Sequence, residues 1–161
     1  MARLSPTLRL RLLAWAKIPL LGSLRPRVVE LTEERCVVRV RLRRWTRNHL
    51  GSMYFGALAM GADCAGGLIA AELIRRRRAR VALVFKSFQA EFLRRPEGDV
   101  YFICDEGPRI RELLDRVLAS GERGTEMIAL AAEVRPAGGD PEPVARFRLE
   151  LSLKPAERGV L

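Results

Sequence analysis

Asp63 lies inside the most apolar stretch of the chain, and its carboxylate is the first candidate for chemistry. Between Met53 and Ile74 the only charged residues are Asp63 and Glu72. A carboxylate in a buried helix needs either a cationic partner or a chemical role. Because burial raises the pKa of such a group, Asp63 is a candidate general base or nucleophile.

Four other residues near Asp63 have polar or reactive side chains. Asn48 and the single histidine of the chain, His49, precede the apolar stretch in what is predicted to be a loop, where either can have a purely structural role. Ser52 is predicted to be a helix N-cap rather than a nucleophile, because no histidine base completes a triad pattern. Cys64 points about 100° away from Asp63 on a helix and is interpreted as a small core residue.

The apolar stretch predicts a helix that is buried on nearly every side, since it is apolar on nearly every side. Gly61, Gly66 and Gly67 each disfavour a helix interior by about 1 kcal/mol relative to alanine. They are explained if neighbouring elements pack too closely to leave room for a side chain. We therefore expect the rest of the domain to wrap around this helix.

Predicted strands lie on both sides of the helix in the sequence. A hairpin of Val28–Leu31 and Cys36–Leu42 precedes it. Four strands and one short amphipathic helix are predicted after it: Val81–Leu93, Asp99–Asp105, the helix Pro108–Ser120, Thr125–Val134 and Val144–Leu153. Consecutive strands favour antiparallel meanders over parallel crossovers. The pattern therefore predicts an α+β fold in which an antiparallel sheet curls around the apolar helix.

The N-terminal region, residues 1–26, predicts an amphipathic helix over Leu8–Leu21. Its apolar side chains, Leu8, Leu12, Trp15 and Ala16, are expected to face the core, with basic residues between them. We expect this helix to dock on one domain that spans residues 27–155 and is followed by a tail, residues 156–161. A helix on a membrane surface is the alternative, because of its arginines and its tryptophan.

The chain is strongly basic, with a net charge of +10 and a pI of about 10.8. This balance favours anionic partners, but no helix-turn-helix signature or interleaved aromatic residues favour specific nucleic-acid binding. Three widely spaced cysteines predict neither a disulfide framework nor a zinc site. Uninterrupted apolar runs fall short of the ~18–20 residues of a bilayer span. We therefore expect a cytoplasmic protein without a metal or a cofactor.

Three positions in and before the apolar stretch resemble a motif of the hot-dog fold, in which a long antiparallel sheet wraps one central helix. The phenylacetate-type acyl-CoA thioesterases and a related uncharacterised hot-dog subgroup carry an asparagine, a His-Gly-Gly six residues later, and an acidic residue nine positions after the histidine. Asn48, Tyr54-Phe55-Gly56 and Asp63 fall at these positions, with Tyr54 and Phe55 in place of His and Gly. The stretch Phe85–Phe102 is also similar to that subgroup.

This resemblance implies a homodimer, or a dimer of dimers, whose sheets join edge to edge and whose active sites lie at the dimer interface. It implies a fatty or aryl acyl-CoA thioester as the substrate, with CoA as part of that substrate. Asp63 would be the base or nucleophile, Asn48 would orient the water or the carbonyl, and the backbone amide of Gly56 would stabilise the oxyanion. The residues expected to contact the substrate are Tyr54, Phe55, His49, Lys86, Arg75, Arg76, Arg77 and Arg78, the arginines through the CoA phosphates.

The same residues are compatible with two other functions. His49 and Asp63 have the fourteen-residue spacing of hot-dog dehydratases that act on 3-hydroxyacyl thioesters, although Leu50-Gly51 replaces the Phe-Pro-Gly loop of those enzymes. The missing His-Gly also fits a non-catalytic acyl-CoA-binding protein. The arginines can equally form the solvated end of a helix. Lys86 can lie on an outer face or pair with Asp63 or a phosphate.

Overall fold

A computed structural model describes residues 5–156, which fold into one six-stranded antiparallel sheet and four α-helices. In chain order the elements are α1 (Pro6–Lys17), α2 (Pro19–Ser23), β1 (Arg27–Leu31), β2 (Cys36–Val40), α3 (Phe55–Arg76), β3 (Val81–Phe92), β4 (Val100–Cys104), α4 (Gly107–Ser120), β5 (Gly124–Val134) and β6 (Glu142–Pro155). A 3₁₀ turn, Arg44–Thr46, lies between β2 and α3. The predicted strands are confirmed, with ends that differ by one or two residues.

The strands follow the order β1-β2-β4-β5-β6-β3, so that β1 and β3 form the two edges. Along nearly its whole length β3 pairs with β6, from Val81 opposite Pro155 to Phe92 opposite Ala145. One irregularity interrupts this ladder between Phe85 and Ser87, where Lys86 has no paired residue. The other side of β3 faces no strand within residues 5–156.

α3 lies across the sheet and contacts the strands from β2 to β6, with α4 packed beside it. A Cβ on Gly61 would overlap the ring of the fully buried Phe102, and a Cβ on Gly66 would lie 3.1 Å from Ile128. The close packing predicted from the glycines is therefore confirmed at these two positions. At Gly67 a Cβ would lie 3.7 Å from Phe85, an ordinary contact, so packing within the chain does not require glycine there.

Among the helices of the described residues, α3 is long and apolar enough to cross a bilayer. However, 67% of its most apolar window is buried inside the protein, which is typical of the core helix of a globular domain.

The N-terminal helix attaches to the domain differently from the prediction. Its contacts include the Thr7 Oγ1, which donates to the Val28 carbonyl at 3.2 Å and accepts from the Val28 N–H at 3.1 Å. Among the described side chains of α1, only Leu10 is buried. The prediction that Leu8, Leu12, Trp15 and Ala16 face the core is wrong, because the helix docks through its Thr7–Leu10 edge and breaks at Pro19.

Candidate functional site

Asp63 lies in the middle of α3, on the side of the helix that is turned toward β3. Gly66 and Gly67, one turn later, both approach the ring of Phe85 in β3. Residues three and four positions apart share a face of a helix, so Asp63 points in the same general direction. Since β3 is an edge strand, the Asp63 carboxylate lies toward an open side of the sheet.

The Asp63 carboxylate is half-buried, and among the described residues it makes no hydrogen bond or ion pair. Burial is the cause that raises its pKa above the usual value of 3.8. A half-buried carboxylate with a raised pKa and a free lone pair can accept a proton or attack a carbon. This arrangement meets the chemical requirement predicted for Asp63.

A strip of small or apolar residues along α3 remains partly open on either side of Asp63. The strip consists of Gly56, Ala59, Met60, Asp63, Gly67 and Ala71, all of which are half-buried. The predicted all-round burial of the helix is therefore incomplete in one chain. The strip leaves the Asp63 carboxylate accessible from one side of the helix.

The second acid of α3, Glu72, is in the opposite situation. Arg75 donates to it through Nε at 2.8 Å and Nη2 at 2.7 Å, and Arg76 donates through Nε at 2.9 Å. Arg9 of α1 lies 3.6 Å away. The hydrogen bond from Arg75, followed by that from Arg76, holds the pKa of Glu72 at about 2. Glu72 is therefore a structural anchor that ties α1 to α3.

Three of the four arginines predicted to bind phosphate are held by carboxylates. Besides Glu72, Arg76 binds Glu33 at 2.8 Å, and Arg77 binds Asp115 at 2.7 Å. Arg75 lies twelve residues beyond Asp63, about 18 Å along the helix axis. The phosphate contacts of Arg75, Arg76, Arg77 and Arg78 stay a prediction, and phosphate would compete with existing ion pairs at the first three.

Lys86 pairs with Glu150 of β6 at 3.3 Å and is about half exposed. Of the alternatives for this side chain, pairing with Asp63 is not observed in the chain. Contact with a ligand phosphate stays a prediction.

Asn48 organises the turn that precedes α3. Its Oδ1 accepts from the backbone N–H groups of Leu50 at 2.9 Å and Ser52 at 3.2 Å, while its Nδ2 donates to the Ser52 Oγ at 3.0 Å. One N–H of the Nδ2 group remains after these bonds. Ser52 is thus part of the Asn48 turn, and its prediction as helix N-cap is wrong, because the turn takes up its side chain.

The residue that caps α3 is Tyr54, which makes no side-chain capping hydrogen bond. Ala57 and Leu58 both donate to the Tyr54 carbonyl, at 2.9 and 3.2 Å. In the described part of the chain, the N–H groups of Phe55 and Gly56 have no acceptor, as expected for the first turn of a helix. A Cβ on Gly56 would lie 2.6 Å from the ring of the exposed Tyr54, so a larger residue at this position would displace that ring.

An open groove of about 570 Å³ lies at the N-terminal end of α3. It is lined by Asn48, His49, Ser52, Met53, Tyr54, Phe55, Leu58, Phe92, Leu93, Arg94, Arg95 and Pro96. The predicted Asn48, His49, Tyr54 and Phe55 are therefore brought together. Along α3 the groove reaches Leu58, and Asp63 lies five residues further, about 7–8 Å along the axis. Within one chain, neither Asn48 nor His49 meets Asp63.

The end of β3 contributes groove residues that the sequence interpretation missed. Phe92 and Leu93 are both exposed and line the groove, and the Pro96 carbonyl accepts the Met53 N–H at 2.9 Å. The apolar residues Val84, Phe88 and Phe92 recur every four residues along β3 and are all exposed. Phe88 and Phe92 pair with Leu149 and Ala145 and so share one face of the sheet, whereas the irregularity at Lys86 places Val84 on the other face. The two phenylalanines near the end of the edge strand are the sequence signal that could have identified the groove.

Groups of His, Cys, Asp and Glu with the geometry of a metal site do not occur among the described residues. Cys36, Cys64 and Cys104 are free and buried. Burial raises the pKa of Cys64 to about 12, so its thiol is a core group and not a nucleophile.

Comparisons with known proteins establish the family and the fold. Solved structures that resemble the chain include a protein of unknown function from Pseudomonas aeruginosa, called a probable thioesterase, with 24% identity over 93% of this chain and 96% of that one and a TM-score of 0.70. They also include a thioesterase family protein from Silicibacter pomeroyi, with 16% identity, 93% and 99% coverage and a TM-score of 0.68. A thioesterase from Haemophilus influenzae has 13% identity, 99% and 97% coverage and a TM-score of 0.67.

No curated protein matches the sequence. The structural similarities confirm the predicted α+β hot-dog fold, with the antiparallel sheet around α3. Residues 8–150 match the family described as a domain of unknown function, DUF4442, and the chain therefore belongs to that family.

Proposed function

We propose that this protein is a hot-dog thioesterase that hydrolyses a fatty or aryl acyl-CoA thioester with Asp63 as general base or nucleophile. The observation that carries the proposal is the state of the Asp63 carboxylate. It is half-buried on an open strip of α3, its pKa is raised by burial, and no cation among the described residues neutralises it. Because its pKa is raised, such a carboxylate is a stronger base than an ordinary one and is suited to take a proton from water.

In the general-base form of the reaction, Asp63 removes a proton from water while the water oxygen attacks the thioester carbonyl carbon. The carbonyl electron pair moves to oxygen, and the free N–H groups of Phe55 and Gly56 are the candidate donors to this oxyanion. The remaining N–H of Asn48 can orient the water or the carbonyl. When the oxyanion collapses and the C–S bond breaks, protonated Asp63 returns its proton to the departing sulfur. The products are a carboxylic acid and CoA, and Asp63 is again a carboxylate.

The proposed site needs two copies of the chain. Asn48 and the start of α3 lie beyond the reach of Asp63 within one chain, so a second copy must supply one of the two halves. The exposed residues Val84, Phe88 and Phe92 make the free edge of β3 a suitable place for that copy. A twelve-residue apolar edge strand tends to pair with another chain. We therefore propose a homodimer, alone or as half of a dimer of dimers.

The first experiment is release of free thiol from a panel of acyl-CoAs of different chain length and aryl content. Asp63→Asn keeps the size of the side chain and removes the base, so we expect turnover to fall about 10²- to 10⁴-fold. Asn48→Ala should reduce it strongly. Asp140→Asn, on the exposed loop before β6, removes the same charge and should leave turnover unchanged.

Mixing two inactive variants tests whether each site is shared between chains. Random mixing of Asp63→Asn and Asn48→Ala subunits gives about half mixed dimers, each with one intact site, and so about a quarter of the wild-type activity. Absence of recovery in mixed dimers would show that each site lies within one chain.

The outcomes of the panel also separate the alternative functions. Tight calorimetric binding of acyl-CoA without turnover would replace the proposal with a non-catalytic binding protein. Loss of 3-hydroxyacyl thioester turnover in His49→Ala, with Asn48→Ala tolerated, would identify a dehydratase. A cytoplasmic location is part of the proposal, and the three free, buried thiols are compatible with it.

A further inference from the structure

The N-terminal helices present large apolar side chains to solvent. Leu12, Trp15, Ile18 and Leu20 are between 50% and 69% exposed, although an amphipathic helix of a domain normally buries such residues. α2 folds back on α1, and the two helices pack closely where they meet. A Cβ on Gly22 of α2 would lie 3.2 Å from the Trp15 ring of α1. The exposed residues therefore belong to one compact helical corner rather than to a loose end.

This corner continues into the 3₁₀ turn before α3. Trp45 in that turn is 88% exposed, the highest exposure among the large apolar residues of the described chain. Trp15 and Trp45 line the same open groove, together with Arg25, Arg43 and Arg44. Both tryptophans of the protein thus lie on one surface beside three guanidinium groups.

The charge of this surface is of one sign. Residues 5–29 and 35–62 contain no aspartate or glutamate, so neither segment supplies a counter-charge. Among the described residues, Lys17, Arg25, Arg43 and Arg44 are exposed and form no ion pair with a carboxylate. Arginines elsewhere are commonly paired, as Arg94 is with Glu142 and Arg116 with Glu126.

From these observations we propose that this surface docks onto a bilayer that contains anionic lipids. We call it the basic aromatic face and define it by Leu12, Trp15, Ile18, Leu20 and Trp45 with Lys17, Arg25, Arg43 and Arg44. Tryptophan favours the interface between headgroups and acyl chains, aliphatic side chains insert below it, and cations contact the anionic headgroups. The inference is independent of the reaction at Asp63.

The arrangement favours a membrane over the other anionic or apolar partners. Single-stranded nucleic acid also binds arginines and tryptophans, but leucine and isoleucine do not stack on bases. A second copy of the chain would bring like charges together if the face met itself across a two-fold axis. The face is also held in place, because Arg9 of α1 pairs with Glu72 and the Arg11 Nε donates to the Pro26 carbonyl at 3.3 Å.

The test is co-sedimentation of the full-length protein with vesicles of phosphatidylcholine alone or with about one third phosphatidylglycerol. We expect binding to the anionic vesicles, which weakens as salt is raised, and little binding to the neutral ones. Tryptophan emission should shift to shorter wavelength on binding and be quenched by brominated acyl chains. Trp15→Phe and Trp45→Phe each leave one reporter, and both single-tryptophan proteins should be quenched.

Two double variants and one matched control distinguish binding through the basic aromatic face from binding caused by the net charge of the protein alone. The double variant Arg43→Gln and Arg44→Gln should weaken vesicle binding at least tenfold, since each cation near the surface contributes about fivefold. Leu20→Ser with Trp45→Ser should weaken binding, so that the emission shift of the remaining Trp15 requires a higher lipid concentration. Arg146→Gln with Arg148→Gln removes two charges from exposed positions of β6 and should change binding less than threefold.

Several results would overturn the proposal. One is the absence of binding to anionic vesicles at low salt. A second is equal loss of binding in the control and in the Arg43 and Arg44 variant. A third is tryptophan quenching by single-stranded DNA with none by brominated lipid, which would identify a nucleic-acid surface. A fourth is a change of oligomeric state in the Leu20 and Trp45 variant by light scattering, which would identify a subunit interface.

Discussion

Gly61 and Gly67 of α3 allow a direct test of how the central helix is used. Both are glycines in the interior of the same helix, six residues apart. The Cβ of an alanine at position 61 would overlap the Phe102 ring, which is fully buried and packs against Phe147 at 6.3 Å between ring centroids. At position 67 the nearest atom would be a ring carbon of Phe85 at 3.7 Å. One glycine is required by the core of the chain, and the other is not.

The two substitutions should therefore change stability in opposite directions. Alanine in place of glycine favours a helix by about 1 kcal/mol. At position 67 no overlap within the chain opposes this gain, so we expect Gly67→Ala to stabilise the subunit itself by about 1 kcal/mol, equivalent to about 3 °C in Tm for a chain of this length, before any weakening of the dimer is counted. At position 61, overpacking costs about 2–3 kcal/mol, which leaves a net loss of roughly 1–2 kcal/mol and a Tm lower by about 2–6 °C.

Activity and stability should respond differently to the substitution at position 67. Gly67 shares the half-buried strip with Asp63, so an added methyl group would obstruct an acyl chain or a second chain on that strip. We expect Gly67→Ala to lower kcat/KM at least tenfold while the chain stays folded. Concentration dependence of the Tm separates a weaker dimer from a blocked substrate, because dissociation is linked to concentration.

Thermal denaturation and thiol release on the two purified variants are sufficient to judge the reasoning. If Gly61→Ala is as stable as the wild type, Phe102 does not pack closely enough against α3 to exclude a methyl group. If Gly67→Ala is fully active, nothing approaches the strip beside Asp63, and the proposed site would have to be abandoned.

Three further predictions follow from the charges and the sheet edge. Because burial raises the pKa of Asp63, its charged form destabilises the folded state, and Asp63→Asn should raise the Tm at neutral pH. Melting measured at several pH values should show that this difference vanishes below the ordinary carboxyl pKa near 3.8. The low pKa of Glu72 contributes roughly 3 kcal/mol to the free energy of unfolding above about pH 4.5, and this contribution is lost as the pH falls toward 2. In denaturant titrations, Glu72→Gln should therefore be less stable than the wild type at neutral pH and equally stable in acid. Phe88→Lys should give monomers by light scattering and abolish thiol release, whereas retention of a dimer would exclude pairing through β3.

The strands and α3 could be predicted from sequence because two local signals agreed there. The run Val81–Leu93 combines β-forming residues with a following Pro-x-Gly turn, and the observed strand ends at Phe92, one residue earlier. The face of α1 could not be predicted, because its apolar residues are interrupted by basic ones on all sides. Polar anchors at Thr7 and Arg9 decide its orientation, and these depend on partners far along the chain.

The candidate site was predictable as a set of residues but not as an arrangement. Asn48 fits a turn and a catalytic role equally well in sequence, and the structure places its carbonyl oxygen and amide in the turn while one N–H is left over. Likewise, the six- and nine-residue spacings say nothing about which chain each residue comes from. The distance that separates Asp63 from the Asn48 groove becomes visible only in the structure, where the groove reaches Leu58 and ends about 7–8 Å along the helix axis before Asp63.

The contrast between Glu72 and Asp63 is the strongest physical argument for the proposed role of Asp63. The chain has 29 basic residues, all but three of them arginine, so a structural carboxylate has many potential partners. Glu72 has three, which bring its pKa to about 2. Nine residues away on the same helix, Asp63 has none within residues 5–156, and its pKa moves in the opposite direction. An unpaired buried charge lowers stability and is tolerated where it serves a function. In so basic a protein, a half-buried carboxylate without a cationic partner among the described residues is what the proposed role of Asp63 requires.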